Sequence, residues 1–145
     1  MTQSVVEKHA ALMKRWSEKP SHKDKDFIED GIIDPFRWQN AHKKILFLLK
    51  EAYGDYGDLC WLIRDEWKGP KYKVWWTASY WLYALHKMTS GKIPVFPKEQ
   101  KDFEECTEFL LSAAVVNIKK SNGSSSSDYD DILKYAREDA DLLRE

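Results

Sequence analysis

A chain of 145 residues with 43% hydrophobic side chains has the size and apolar content of one globular domain, residues 1–145, which excludes wholesale disorder. Its 23 basic and 24 acidic side chains leave a net charge of −1, which excludes gripping duplex DNA by bulk electrostatics. Any DNA binding would come from a local basic patch and be weak at physiological salt.

In chain order, Val5, Val6, His9, Leu12, Met13 and Trp16 recur at spacings of three and four. They predict an amphipathic helix over residues 4–18, stopped by Pro20. Residues 21–26 are polar and read as a loop. Two short apolar runs around Asp30-Gly31, from Phe27 to Pro35, predict a small hairpin or a tight extended loop. Lys44 to Lys50 is an apolar run with charged ends, bounded by Gly54, Asp55 and Gly57, the pattern of a strand buried on both faces of a parallel sheet. Asp58 to Trp67 has helical spacing with Asp58 as N-cap, and Gly69-Pro70 ends it. Val74 to Met88 predicts an aromatic-rich helix bearing Trp75, Trp76, Tyr80, Trp81, Tyr83 and Leu85. Residues 89–97 read as a loop and 98–111 as a helix. Ser112 to Lys119 is the second candidate buried strand; it runs into a Ser-rich loop at 121–127, after which Asp128 starts a last helix.

Strands separated by helices predict an α/β class: a helix-rich, three-layer α/β/α arrangement around a small, mainly parallel sheet. Ile45 to Leu49, the longest apolar stretch, is far too short to cross a bilayer, and the N-terminus has no basic segment leading into an apolar run. The expectation is a cytoplasmic protein with no membrane partner. Cys60 and Cys106 lie far apart and read as buried thiols of a reducing compartment rather than a disulfide or a metal site. His9, His22, His42 and His86 lack metal-ligand or triad spacing, and no nucleotide-binding glycine motif occurs, so no metal and no cofactor are expected.

Ligands of open α/β sheets bind beyond the carboxyl ends of the strands. The first strand ends in Lys50-Glu51-Ala52-Tyr53-Gly54, the second in Asn117-Ile118-Lys119-Lys120. A carboxylate at 51 can orient or deprotonate a water, an amide at 117 can read a base edge, and Lys119, Lys120 and the Ser-rich loop can hold phosphate. Each has a plainer alternative: a solvated Glu51, a turn-forming Asn117, a solvated Lys119-Lys120 edge, a serine linker.

Ile45 to Gly54 resembles the first motif of the uracil-DNA glycosylase superfamily, a strand ending in a Gly-Glu-Ala-Pro-Gly type loop. Glu51, Ala52 and Gly54 match, while Lys50 and Tyr53 replace a glycine and a proline. Val115 to Lys120 is similar to the family's later strand that ends in Asn and then Lys, and Phe27 to Pro35 resembles the lead-in of uncharacterised bacterial members. The resemblance implies a domain that holds a flipped base and hydrolyses the N-glycosidic bond of a damaged base such as uracil in DNA. Glu51 would be catalytic, positioning the attacking water. Asn117 would bind the base, Tyr53 would wall the pocket, and Gly54, Lys119 and Lys120 would complete the substrate site. The family's last strand and its His-Pro-Ser loop have no counterpart within these residues, so the expected fold is a truncated one. The competing expectation is a non-catalytic protein-interaction module on the same fold, presenting an exposed patch around Trp75, Trp76 and Tyr80 or covering a sheet edge by self-association or with a protein partner.

Overall fold

The computed structural model describes residues 4–23, 25–54, 57–88, 91, 92, 94, 95 and 100–145. The expected loop at 89–97 and the start of the helix at 98–111 fall mostly outside them. The chain is mixed α/β, with six α-helices and one open three-stranded sheet among the described residues. It forms two compact units interleaved in sequence: one from Met1–Gly31, Phe47–Cys60 and Val115–Glu145, the other from Ile32–Leu46 and Trp61–Ala114.

The sheet is ordered β1-β3-β2, with β1 at Gly31–Ile32, β2 at Leu46–Glu51 and β3 at Ala114–Lys119. Flanking hydrogen bonds fix the directions. Ala114 N donates to Ile45 O and Gly123 N to Ala52 O, so β2 and β3 run the same way. Ile28 N donates to Lys120 O and Ile33 N to Ala113 O, so β1 runs opposite to β3.

In the first unit, α1 (Val5–Ser17) starts with a capping box: Glu7 N donates to Ser4 Oγ at 3.2 Å and Ser4 N to Glu7 Oε2 at 2.8 Å. The helix buries Met13 and Trp16 against Leu142, with Leu12, Phe27, Val116 and Leu143 around them. Asp128 caps α6 (Tyr129–Glu138), accepting from the backbone of Asp130 and Asp131, and α6 buries Ile132 and Tyr135.

Phe27 to Pro35 is not a hairpin. Glu29 N donates to Gly57 O and Leu59 N to Glu29 O, while Ile28 pairs with Lys120, so the segment bonds to other parts of the chain rather than to itself. Gly31 is required by close approach: at φ +121 a Cβ would overlap the ring of His9, whose Nε2–H donates to Asp30 O at 2.6 Å.

In the second unit, α2 (Pro35–Asn40) is a helix absent from the sequence reading; Asp34 caps it by accepting from Phe36 N and Arg37 N, with Pro35 in the first position. The expected helix at 58–67, whose residues up to Cys60 belong to the first unit, is shorter and changes pitch. α3 (Leu59–Trp61) runs into a π-helical turn, Leu62–Glu66. Gly69 ends it at φ +134, where a Cβ would stand 2.7 Å from Thr107 Cγ2. Helices α4 (Lys73–Lys87) and α5 (Gln100–Leu111) pack through rings: Trp76 on Phe103 at 5.7 Å, Tyr83 on Phe109 at 6.2 Å and His86 stacked on Phe109 at 4.5 Å.

β2 is not buried on both faces. Leu46 and Leu48 are 54% and 58% exposed, while Phe47, Leu49 and Glu51 are half-buried. The strand lies at the sheet edge and only one of its faces is covered. The central strand β3 holds the buried positions, Ala114, Val115 and Asn117. Cys60 and Cys106 are buried thiols, as expected. Among the described residues no helix is long and apolar enough to cross a membrane.

Candidate functional site

The parallel pairing of β2 and β3 sets Glu51, the last residue of β2, beside Lys119, the last of β3. Lys119 Nζ lies 3.3 Å from Glu51 Oε2 and 2.7 Å from Asp131 Oδ2 in the first turn of α6. The Glu51 side chain is 7% exposed and that of Lys119 15%. Burial pulls the Lys119 ammonium down, but its hydrogen bonds to Asp131 and Glu51 outweigh this and hold it above the usual lysine range. The Lys119 hydrogen bond in turn holds Asp131 below the usual carboxylate range.

Gly123 lets the loop after β3 close over this carboxylate. Its N–H donates to Ala52 O at 2.8 Å, and a Cβ at 123 would overlap Glu51 Cδ and stand 2.7 Å from Oε1. Glu51 Oε1 is buried without a hydrogen-bond partner among the described residues. A polar oxygen so placed favours any donor that can reach it.

Lys119 also lines a recess of about 410 Å³ together with Lys25, Asp26, Ser121 and Asn122. Gly54, at φ +123, donates its N–H to Asn122 Oδ1 at 2.9 Å and so ties the end of β2 to the rim. Tyr53 is 70% exposed.

Asn117 and Lys120 belong to a second network. Asp30 Oδ2 accepts from Asn117 N at 2.8 Å and from Asn117 Nδ2 at 3.1 Å, and Asp30 Oδ1 accepts from Lys120 Nζ. All three side chains are buried, and the Lys120 ammonium sits 4.1 Å from the centre of the Trp16 ring. Burial raises the pKa of Asp30 against the opposing pull of Lys120 and Asn117, and burial lowers that of Lys120 against the pull of Asp30. Asn117 Oδ1 remains buried and unpartnered among the described residues.

Of the six residues singled out in the sequence, Glu51 and Lys119 are brought into contact, Gly54 joins the recess rim through Asn122, and Tyr53 is displayed to solvent. Asn117 and Lys120 are bound to Asp30. Sequence reasoning missed Asp30, Lys25 and Asp131, because Asp30 and Lys25 meet partners 87 or more positions away and Asp131 meets Lys119 across a helix start. It also missed the buried pair of His22 and Asp139, where Nε2 meets Oδ2 at 2.7 Å and the imidazole stacks on Tyr135 at 5.3 Å. Among the described residues no group of His, Cys, Asp and Glu could hold a metal ion. No protein-family model matches the chain, and no curated protein or solved structure matches it.

Proposed function

We propose that the chain is a glycosylase-like domain that binds a nucleic-acid base, built on a shortened version of the uracil-DNA glycosylase-like fold and working in the cytoplasm. One observation carries the reading. A nearly buried carboxylate, Glu51, ends a strand with one oxygen held by Lys119 and the other unpartnered, and Lys119 opens directly onto a polar recess.

In the enzymatic form of this proposal, Glu51 orients a water whose oxygen bonds to the anomeric carbon. The N-glycosidic bond breaks, the base leaves with the bond's electron pair, and the proton that the water releases ends on the departing base. Lys119 holds Glu51 ionised and in place, and Lys25 and Lys119 supply positive charge for a phosphate. Asn117 gives its backbone N–H and one amide N–H to Asp30, and its buried, unpartnered Oδ1 is the acceptor in this reading for a base N–H. The near-zero net charge fits a weak, salt-sensitive complex with DNA.

The test is a strand-cleavage assay on single- and double-stranded oligonucleotides carrying one uracil, hypoxanthine or mismatch, with abasic sites opened by alkali. Binding is followed in parallel by fluorescence anisotropy. The expected result is cleavage that Glu51→Gln reduces by about 10²–10⁴-fold while binding persists. Binding with no cleavage leaves a base-binding domain without the hydrolytic step. Neither binding nor cleavage at low salt overturns the proposal.

A further inference from the structure

The interaction surface expected around Trp75, Trp76 and Tyr80 is not an open one: Trp75 is 6% exposed, and Trp76 and Tyr80 are half-buried. The polar groups that the base-binding reading leaves unused lie in the first unit, behind the lysines of the recess. His22 and Asp139 have fully buried side chains, with Nε2 2.7 Å from Oδ2. Lys19 holds the other side of that carboxylate, its Nζ 3.4 Å from Asp139 Oδ1 and 2.5 Å from Asp141 Oδ1. A buried polar pair is costly, and a packed apolar pair of the same volume is often as stable. What this pair does is hold its neighbours. His22 N donates to Lys19 O at 2.9 Å and Lys25 N donates to His22 O at 3.1 Å, so the turn that carries Lys25 hangs from His22. The imidazole stacks on Tyr135, and the Lys25 ammonium comes back to the same residue: it donates to the Tyr135 hydroxyl and lies 4.7 Å from the ring centre. Asp139, His22, Tyr135 and Lys25 are thus joined in one chain of contacts. Lys119 meets it from β3, 5.9 Å from the Tyr135 ring centre.

Lys25 and Lys119 both line the recess. An ammonium has three N–H groups. Lys25 gives one to Tyr135, and Lys119 gives two, to Glu51 and Asp131, so three are left over for a ligand. The two ammoniums stand among the carboxylates of Glu51, Asp131 and Asp26, and this balance suits a singly charged phosphodiester better than a doubly charged phosphate monoester. Lys25 is exposed, and an exposed lysine ordinarily gives up rotamer freedom when it closes on a ligand. Tethered to Tyr135, it has given up that freedom before the ligand arrives. We infer that Tyr135, His22 and Asp139 are positioning residues that hold Lys25 ready to bind, together with Lys119, one backbone phosphodiester of a nucleic-acid strand. The inference rests on the base-binding reading and adds to it the groups that set the phosphate contact.

The probe is a fluorescein-labelled single-stranded oligonucleotide carrying one uracil, titrated with the full chain over a range of salt concentrations and read by anisotropy. The parent chain is compared with Lys25→Met, Tyr135→Phe and the double variant. Tyr135→Phe keeps the ring beside His22 and removes only the hydroxyl. Losing one phosphate contact lowers the slope of log K against log salt by about 0.7 for a single strand. Lys25→Met is expected to lower it by that amount and to weaken binding at low salt by about three- to tenfold. Tyr135→Phe is expected to change both in the same direction by less. The double variant should match Lys25→Met, because Tyr135 acts through Lys25. A merely structural Tyr135 would lower the urea midpoint and leave the salt slope alone. His22→Gln is expected to follow Tyr135→Phe; should it not fold by circular dichroism, Tyr135→Phe decides. Inorganic phosphate at constant ionic strength is expected not to displace the strand. An unchanged slope in Tyr135→Phe, strictly additive effects of the two substitutions, or displacement by inorganic phosphate overturns this inference and leaves the base-binding reading standing. No binding of the strand to the parent chain at low salt overturns that reading, and this inference with it.

Discussion

Glu51 and Gly123 approach each other closely: the loop that follows β3 passes so near the Glu51 carboxylate that a Cβ at position 123 would force that side chain to shift. The Gly123 N–H is fixed to Ala52 O, so the loop cannot easily back away. The same loop carries Ser121 and Asn122 to the recess. The close approach therefore couples the shape of the recess to the position of the carboxylate.

Gly123→Ala is accordingly expected to destabilise the protein by about 1–3 kcal/mol, the ordinary range for a steric insult at a packed position. The cause is separable from a general loss of backbone freedom. If the methyl group meets Glu51, truncating Glu51 to Ala removes the clash, and the double variant is more stable than the sum of the two single changes predicts. Urea denaturation of the four proteins completes the cycle. Strict additivity would refute the contact as the origin of the cost.

Asp30 and Lys120 offer a second test, since both side chains are fully buried. Lys120→Met keeps the length and apolar stem of the side chain but strands the Asp30 carboxylate, and a loss of about 3–5 kcal/mol is expected. Asp30→Asn combined with Lys120→Met removes both charges and keeps an acceptor and a donor for Asn117. The double variant is expected to recover a large part of that loss in denaturant unfolding. A double variant as unstable as Lys120→Met alone would show that packing against Trp16, not charge, sets the cost.

These two relationships differ in how far the sequence reveals them. The caps of α1 and α6 are legible because Ser4 with Glu7, and Asp128 with the amides that follow it, act within one turn. Asp34-Pro35 announces α2 by the same local logic, although its two apolar neighbours Ile32 and Ile33 draw the eye toward a strand. The two apolar runs at 45–49 and 113–118 are both legible as strands. Which one is central is not, because a short apolar run has the same pattern whether one face or two are covered. Glu51 and Lys119 were legible as strand ends, and a parallel pairing joins them. Asp30 was not, because an Asp-Gly pair is a turn signal in isolation and becomes a buried anchor only when a lysine 90 positions later is folded onto it.

The ion pair of Lys119 and Asp131 sets limits at both ends of the pH scale. Asp131 is held below its ordinary value, so its contribution to stability is fully present above the unfolded carboxylate pKa and is lost as pH falls through the folded one. Lys119 is held above its ordinary value, so its contribution is present below the unfolded lysine pKa and is lost as pH rises through the folded one. Stability should therefore decline from about pH 5 downward and again above about pH 10. Asp131→Asn removes the partner of Lys119 and the acid-titrating group together. Its expected signature is a lower denaturant midpoint at neutral pH and a shallower decline toward acid, so that the two proteins converge at low pH where Asp131 would be protonated in either state. Because Asp131 is 34% exposed, solvent screens the pair, and the gap at neutral pH should be about 1 kcal/mol or less and shrink with added salt. A gap that stays constant across the whole acid range would mean that the cost of the substitution does not depend on the Asp131 charge and so does not come from its pairing with Lys119.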